Sequence, residues 1–588
     1  MRVSRAPVVF AVVALAILVA AIGPSLVVQP ASAQNGLFSD ATRQPDVPLV
    51  VPRPVVRQRL VDVNFALLDS AARAGVGSAL TLNLFNSAGA LYPEIIVAAT
   101  RDRVERTSSG QGIIWVGKVP GDLGSQVTLV SERGALAGDI RTGGRLYHIR
   151  SLGQGVHAID ELNPGAFPPD DHLLPGGVRL GGGASAARAA VAAAIASRAG
   201  ASPSDASVAA PAAAAPPPTT AADDGLTVDF MVVYTPAAAA ENGGTAGMDT
   251  QVDLAIADVN GAYANSAVNF RARLVYKGQV NYTESGDIST DLNALTAGNI
   301  SNGSQTVAAL RNQFGADLVS LITREDPFFC GIGWIMNPAG ASFASNAFSV
   351  VAGTSCAVSN HSLAHETGHN MGLCHDWIQN DCTPQVPWGH GYVDPQNRFR
   401  DIMSYPQSCG NCQRIQYFSN LVTTYLGNPV GTAHNLPNPA DNTALLNANA
   451  SIIANWRQCV VAPCSGQQPP ATPTSAPIPT PVVSCSPRPR VSVSTQPAGS
   501  NTLQVTLLPG ANGWINQVQI GAAVNARIDI AGLTGITGNQ TITLPPATTS
   551  LTFQVHHLVN GQATTVPLTV VDTCGSWPTF VGGGASAF

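Results

Sequence analysis

The stretch His365-Glu366-Thr367-Gly368-His369-Asn370-Met371-Gly372-Leu373-Cys374-His375-Asp376 decides what this 588-residue chain is built around. On a helix, His365 and His369 stand four apart and project from one face, so two imidazoles reach one ion about 2.0 to 2.1 Å away. Glu366 is one step round the helix, near the ion but offset from it. Its carboxylate is therefore left to take a proton from a metal-bound water. Gly372 accepts the left-handed conformation that stops a helix, and the turn brings in His375 as a third ligand. Three neutral nitrogens and a water make an open tetrahedral zinc site. With 11 His, 57 Gly and eight Glu in the chain, chance placement of H-E-x-x-H-x-x-G-x-x-H is on the order of 10⁻⁵ or less. His361 lies four residues before His365 but lacks a following Glu, and it reads as a structural histidine.

Upstream of the motif, the buried-strand run Val228-Asp229-Phe230-Met231-Val232-Val233-Tyr234 is followed by Val252, Ala255, Ile256, Val259 and Tyr263 on one helical face. A strand-like segment at 268–282, a helix carrying Val307, Leu310 and Phe314, and the strand Leu318-Val319-Ser320-Leu321-Ile322 come next. Strand and helix in alternation predict an α/β (α+β) domain with a twisted, mainly parallel sheet and a long active-site helix. Residues 34–182 alternate short apolar runs with Gly-rich turns and read as β-rich. Residues 183–223 form an Ala/Pro-rich linker and residues 459–484 a Pro/Thr-rich one. At least six strand-like runs and an Asn560-Gly561 turn make 485–578 a β-sandwich, with 579–588 a tail.

Composition narrows the function classes. Charged residues reach only 11% and the net charge is -6, with no basic stripe, so nucleic acid is excluded as a partner. Only two lysines, Lys118 and Lys277, stand beside 28 arginines, as in chains from GC-rich bacterial genomes. Arginines at 2 and 5, an apolar run at 8–22 and the triplet Ala31-Ser32-Ala33 predict a signal peptide over 1–33, hence a secreted, extracellular protein with no membrane attachment after cleavage. The ten cysteines all lie in the second half, and in an exported chain they read as disulfides. Cys485 and Cys574 bracket the sandwich and are placed to clip its ends. Cys409-Gly410-Asn411-Cys412 reads as two ends of different staples.

Asp401-Ile402-Met403-Ser404-Tyr405-Pro406 follows the motif by about thirty residues. Taken together, the two stretches resemble the metzincin zinc endopeptidases, and the order looks like a bacterial reprolysin-like or peptidyl-Asp metalloendopeptidase. The likeness covers about 226–458 and makes 224–458 the protease domain and 34–182 similar to a pro-domain. It implies one catalytic Zn2+ on His365, His369 and His375, Glu366 as the base, and Met403 as the turn methionine. It also implies Asp376 as structural support for that turn, Gly372 at the helix end, and Cys374 in a disulfide. Tyr405 matches the tyrosine that astacin-like and serralysin-like metzincins use as an extra ligand or oxyanion donor, whereas adamalysin-like enzymes lack it. A structural Ca2+ has no support in the residues.

The resulting expectation is a secreted zinc metalloendopeptidase, made as a zymogen, that hydrolyses peptide bonds in proteins through a zinc-bound water activated by Glu366. Substrate is expected along an edge strand near Cys330-Gly331-Ile332-Gly333-Trp334-Ile335, with Tyr417 and Phe418 as candidate pocket walls. The N-terminal module is the expected inhibitor. A cysteine switch is excluded because residues 34–329 hold no cysteine, which leaves steric cover or Asp139, Asp160, Asp170 or Asp171. The C-terminal sandwich is left with a surface or glycan ligand as its partner class. The competing reading is an exported adhesion or binding protein with a non-catalytic metalloprotease-like core, against which the intact Glu366 stands.

Overall fold

The computed structural model describes residues 36–45, 51, 54–86, 94–174, 223, 225–379, 382–396, 399–462 and 464, and, toward the C-terminus, 492–499, 502–508, 515–530, 533–538, 540–548, 551–558, 564–572 and 575–583. The chain falls into two compact units, Met1–Gln468 and Pro469–Phe588. The signal peptide, nearly all of the Ala/Pro-rich linker, the 465–484 part of the Pro/Thr-rich one, Cys485, Cys574 and the Asn560-Gly561 turn lie outside the described residues.

The first unit begins with a nine-stranded antiparallel sheet that runs from Phe38–Asp40 and Val55–Val63 at one edge to Ala79–Phe85 at the other. Two of its hairpins are tight because their two-residue turns take positive φ at both positions, Arg133 (51°) with Gly134 (76°) and Gly143 (57°) with Gly144 (72°). The period of two splits the strands between two cores. Trp115, Leu129 and Tyr147 face the sheet's own cluster. Ile114, Val116, Val130 and Ala137 face the other way, into the cluster that holds the next helix.

That cluster surrounds a six-stranded sheet. Its strands are β1 (Asp170–Leu173), β2 (Thr227–Tyr234), β3 (Arg271–Gln279), β4 (Leu318–Thr323), β5 (Gly331–Trp334) and β6 (Phe348–Ala352), in the order β1-β5-β6-β4-β2-β3. β3, β2, β4 and β6 are parallel, β5 runs antiparallel to β6, and β1 lies parallel on the outer edge of β5. The near-continuous apolar run of β2 follows from this placement, since both faces are covered and Val228 to Tyr234 are buried. Helix α1 (Thr245–Asn265) is buried on most of its surface between this sheet and the nine-stranded one, and its Gln251 amide donates to the Ile149 carbonyl of the latter at 2.9 Å. Helices α2 (Ile288–Thr296), α3 (Val307–Phe314), α4 (Ser362–Asn370) and α5 (Asn442–Ile453) follow, and two short helices, Phe65–Arg73 and Pro236–Glu241, also belong to the unit.

Two features depart from the sequence reading. The active-site helix α4 is nine residues, not long, because His361 sits in the left-handed region (φ 58°) behind a π-helical turn at Ser355–Ser359. In addition, Asp170–Leu173 is hydrogen-bonded into the sheet on which α4 packs.

In the second unit, a five-stranded and a four-stranded antiparallel sheet share one core that includes Val505, Val518, Ile528, Phe553 and Val570. Among the described residues of the chain, no helix is long and apolar enough to cross a membrane.

Candidate active site

Helix α4 presents His365 and His369 from one face, and both rings are fully buried. The helix stops as its glycine predicts. Gly372 has φ 99°, its N–H donates to the His369 carbonyl at 3.0 Å, and a Cβ there would meet Met336 Cε at 3.3 Å. The turn then supplies the Leu373 carbonyl, which accepts from His369 Nδ1 at 2.8 Å, and delivers His375. His365 Nδ1 donates in the same way to the Ile402 carbonyl at 2.8 Å.

These bonds turn the Nε2 lone pairs inward. The three Nε2 atoms stand 3.2 Å (His365 to His375), 3.2 Å (His365 to His369) and 3.0 Å (His369 to His375) apart. A tetrahedron with bonds of 2.0 to 2.1 Å has edges of about 3.4 Å, so the triangle is close to what one ion requires. Burial, with the His369 ring adding to it, holds the His365 pKa well below its ordinary value and keeps that ring neutral. The Nε2 lone pairs of His365 and His369 are buried and face each other and His375 Nε2, so the residues fit a divalent metal.

Glu366 sits beside the triangle with both carboxylate oxygens buried and without hydrogen-bond partners. Burial pushes its pKa well above the ordinary range, and Asp170 and Asp171 push the same way. It can lie there because β5 offers glycines. A Cβ on Gly331 would stand 2.5 Å from Glu366 Oε1, and one on Gly333 2.9 Å from the Glu366 carbonyl oxygen. The Gly-x-Gly of Cys330-Gly331-Ile332-Gly333 thus lets the catalytic helix approach the strand closely.

Below the helix, Met403 is buried beneath Gly368, whose added Cβ would be 2.8 Å from its sulfur. Asp376 accepts from the Tyr405 N–H at 3.0 Å and the Ser408 hydroxyl at 2.8 Å, which ties the end of the motif to the residues after Met403. Cys374 is bonded to Cys382. The Tyr405 ring stands edge-on to His375, with centroids 4.4 Å apart, and its hydroxyl donates to the Asp170 carbonyl of β1.

Other sequence candidates fall elsewhere. His361 faces Asp258 of α1, with Nδ1 2.8 Å from Oδ2. Phe418 packs in the core on Tyr263, and Tyr417 packs edge-on to Tyr425, so neither pairs with the triangle. Cys409 and Cys412 are bonded to each other, because Gly410 and Asn411 both take positive φ and close the turn. Asp139 is 3.2 Å from Arg141, and Asp160 is 3.0 Å from Arg150. Of the four aspartates, it is Asp170 that offers an oxygen within 4.8 Å of ligand atoms of His365 and Glu366. Sequence reasoning missed His172, which offers a ring nitrogen within 4.8 Å of those of His369 and His375, with centroids 4.9 and 4.7 Å away. A single histidine after two aspartates carries no spacing signal; only the pairing of β1 with β5 brings it here.

Residues 225–436 match the metallo-peptidase family M12B, reprolysin-like. A peptidyl-Asp metalloendopeptidase of Stenotrophomonas maltophilia (strain R551-3) is 32% identical over 381 residues, 61% of this chain and 80% of the relative. One from Xanthomonas campestris pv. campestris is 27% identical over 432 residues, 70% of this chain and 89% of the relative. The solved metalloproteinase-II from Bacteroides fragilis aligns with 57% of this chain and 92% of its own, at 11% identity and a TM-score of 0.30. On the family match and the two peptidyl-Asp relatives, the chain is a metalloendopeptidase and belongs to the peptidyl-Asp metalloendopeptidase family of reprolysin-like enzymes.

Proposed function

We propose that the chain is an exported zymogen of a zinc endopeptidase that cuts polypeptides at peptidyl-Asp bonds, with His365, His369 and His375 as metal ligands and Glu366 as the proton carrier. The observation that carries this reading is the contact of three inward Nε2 atoms beside a buried, partnerless carboxylate. The donor set suits zinc, and when bound the metal supplies Lewis acidity toward the peptide carbonyl and the attacking water. Glu366, the residue with no competing hydrogen bond, takes the proton of that water and returns it to the departing amine. The substrate strand pairs with the outer edge of β5, which supplies main-chain hydrogen bonds and fixes the scissile bond over Glu366. Tyr405, two residues past Met403, donates its hydroxyl to the carbonyl oxygen under attack.

Latency is supported by what occupies that edge. β1, upstream of the linker, lies along β5 where substrate would lie, and its Asp170 carbonyl engages the Tyr405 hydroxyl. His172 on the same strand is placed as a further nitrogen donor to the metal. Cleavage in the linker and departure of β1 then open the site. Export rests on the signal-like residues 1–33, and aspartate preference on the relatives' name.

Replacing Glu366 with Ala is expected to leave metal content unchanged and to lower turnover by about 10²-fold or more. A metal-replete variant with ordinary turnover would remove Glu366 from the role.

A further inference from the structure

Arg414 has a buried guanidinium in an enzyme with few charged residues, and its surroundings are specific. Its Nη1 donates to Asp170 Oδ2 at 2.7 Å and to the Asn360 carbonyl at 2.8 Å, and its Nη2 donates to the Ser404 carbonyl at 3.3 Å. Its Nε is buried without a partner. The two carbonyls belong to segments that also carry the metal site, one just before α4 and the other directly after Met403. The guanidinium is therefore fixed by the catalytic frame, and its remaining partner is the carboxylate of β1. Asp170 is the β1 residue opposite Gly331, the glycine on which Glu366 packs. Its main-chain carbonyl accepts from Tyr405, and its carboxylate lies within 4.8 Å of ligand atoms of His365 and Glu366. Backbone and side chain of this residue thus meet the catalytic groups as a residue next to a scissile bond would. Arg400 is buried close by, with its Nε donating to the Cys412 carbonyl at 3.3 Å, and adds a second positive charge. Beside them a cavity of about 80 Å³, lined by Phe167, Arg400, Gln407 and Asn411 among others, leaves room for little more than a short side chain.

We propose that Arg414 is the specificity residue that reads the substrate's aspartate, and that Asp170 holds its place in the uncut chain as a resident copy of that side chain. Departure of β1 would leave a preorganised, desolvated guanidinium without its counter-charge, a site that rewards an acidic side chain and rejects a neutral one of the same shape. A one-methylene carboxylate matches the reach that Asp170 shows. The inference rests on the peptidyl-Asp reading given above and assigns it to a residue.

The test is product mapping on matched peptides carrying Asp, Asn or Glu at the cleaved position. The enzymes are expressed as the full chain and left to process, as wild type, Arg414→Gln, Arg414→Lys and Asp170→Asn. Wild type is expected to prefer Asp over Asn by about 100-fold or more. Arg414→Gln should bring that ratio close to one without raising the rate on Asn peptides to that of Asp. Arg414→Lys, which keeps the charge but loses the fork, should retain the preference about 10-fold weaker, mostly through KM. Asp170→Asn should hasten processing and leave the Asp/Asn ratio unchanged. In the Glu366→Ala background, which does not cut itself and whose linker is therefore cut by an added protease, binding of a fluorescent Asp peptide should weaken in parallel with the ratios, a readout independent of turnover. If Arg414→Gln folds, holds metal and keeps the wild-type ratio, Arg414 is a structural partner of the pro-strand and nothing more. If it does not fold, an unchanged ratio in Arg414→Lys overturns the assignment equally. A wild-type enzyme with no preference for Asp would instead defeat the peptidyl-Asp reading itself.

Discussion

Glu366 shows how a single side chain depends on what its neighbours lack. Its carboxylate is buried because β5 carries no Cβ at Gly331, and a methyl group there would stand 2.5 Å from Oε1. Gly331→Ala should therefore displace the carboxylate, cost about 1 to 3 kcal/mol in unfolding free energy, and lower turnover by about 10-fold or more with metal content unchanged. Urea unfolding, turnover and metal analysis on one preparation check this, and ordinary turnover would show that the close approach is not needed. Glu325 illustrates a different cost. Burial pushes its pKa up to about 7 from 4.5, against the hydrogen bond from Ser355 and with the charge of Glu241 in support. A raised carboxyl pKa means that the folded chain holds the proton more tightly than the unfolded one. The stabilisation is then complete below about pH 4.5 and is lost as pH rises through about 7. Glu325→Gln should remove up to about 3 kcal/mol of the fall in unfolding free energy between about pH 5 and about pH 8. Parallel slopes for variant and wild type over that range would show that Glu325 is not the titrating group.

At the scale of elements, what was legible in the sequence divides by the range of the interactions involved. Helix α4 and its stop were legible because His365, His369 and Gly372 act through local geometry, and β2 because its apolar run reports burial on both faces. The family resemblance, not the glycines, pointed to an edge strand at β5, and the purpose of Gly331 and Gly333 was hidden because it depends on a helix thirty residues downstream. β1 was not legible as part of this sheet. Three of its four residues are polar and its partner lies more than 150 residues away, so neither propensity nor period points to the pairing. The Cys409–Cys412 bond was missed for a similar reason, since it depends on two consecutive positive φ values. β1 also gives the element-scale prediction. In full-length protein carrying Glu366→Ala to prevent self-processing and loaded with Co2+, His172→Ala should change the visible absorption bands and speed metal loss to a chelator by about 10-fold. Unchanged spectra and loss rates would take His172 off the metal and leave β1 as steric cover alone.

At the scale of the whole first unit, the nine-stranded sheet does more than precede the protease domain. One of its faces shares a core with α1, and its last segment supplies β1, so the N-terminal half is packed onto the same frame that holds the histidines. Composition and turn signals made that half readable as β-rich, yet the contact surface was not readable, because Ile114 and Val116 alternate with Trp115 in the way any strand with two covered faces would. All of this serves one claim, that three imidazoles share one metal ion. X-ray absorption at the zinc edge of full-length Glu366→Ala protein tests it most directly. The account predicts one zinc per chain in a histidine-type shell of at least three nitrogens at about 2.0 to 2.1 Å. A chain that binds no zinc, or binds it through sulfur or carboxylate oxygen with the histidines absent from the shell, would contradict it.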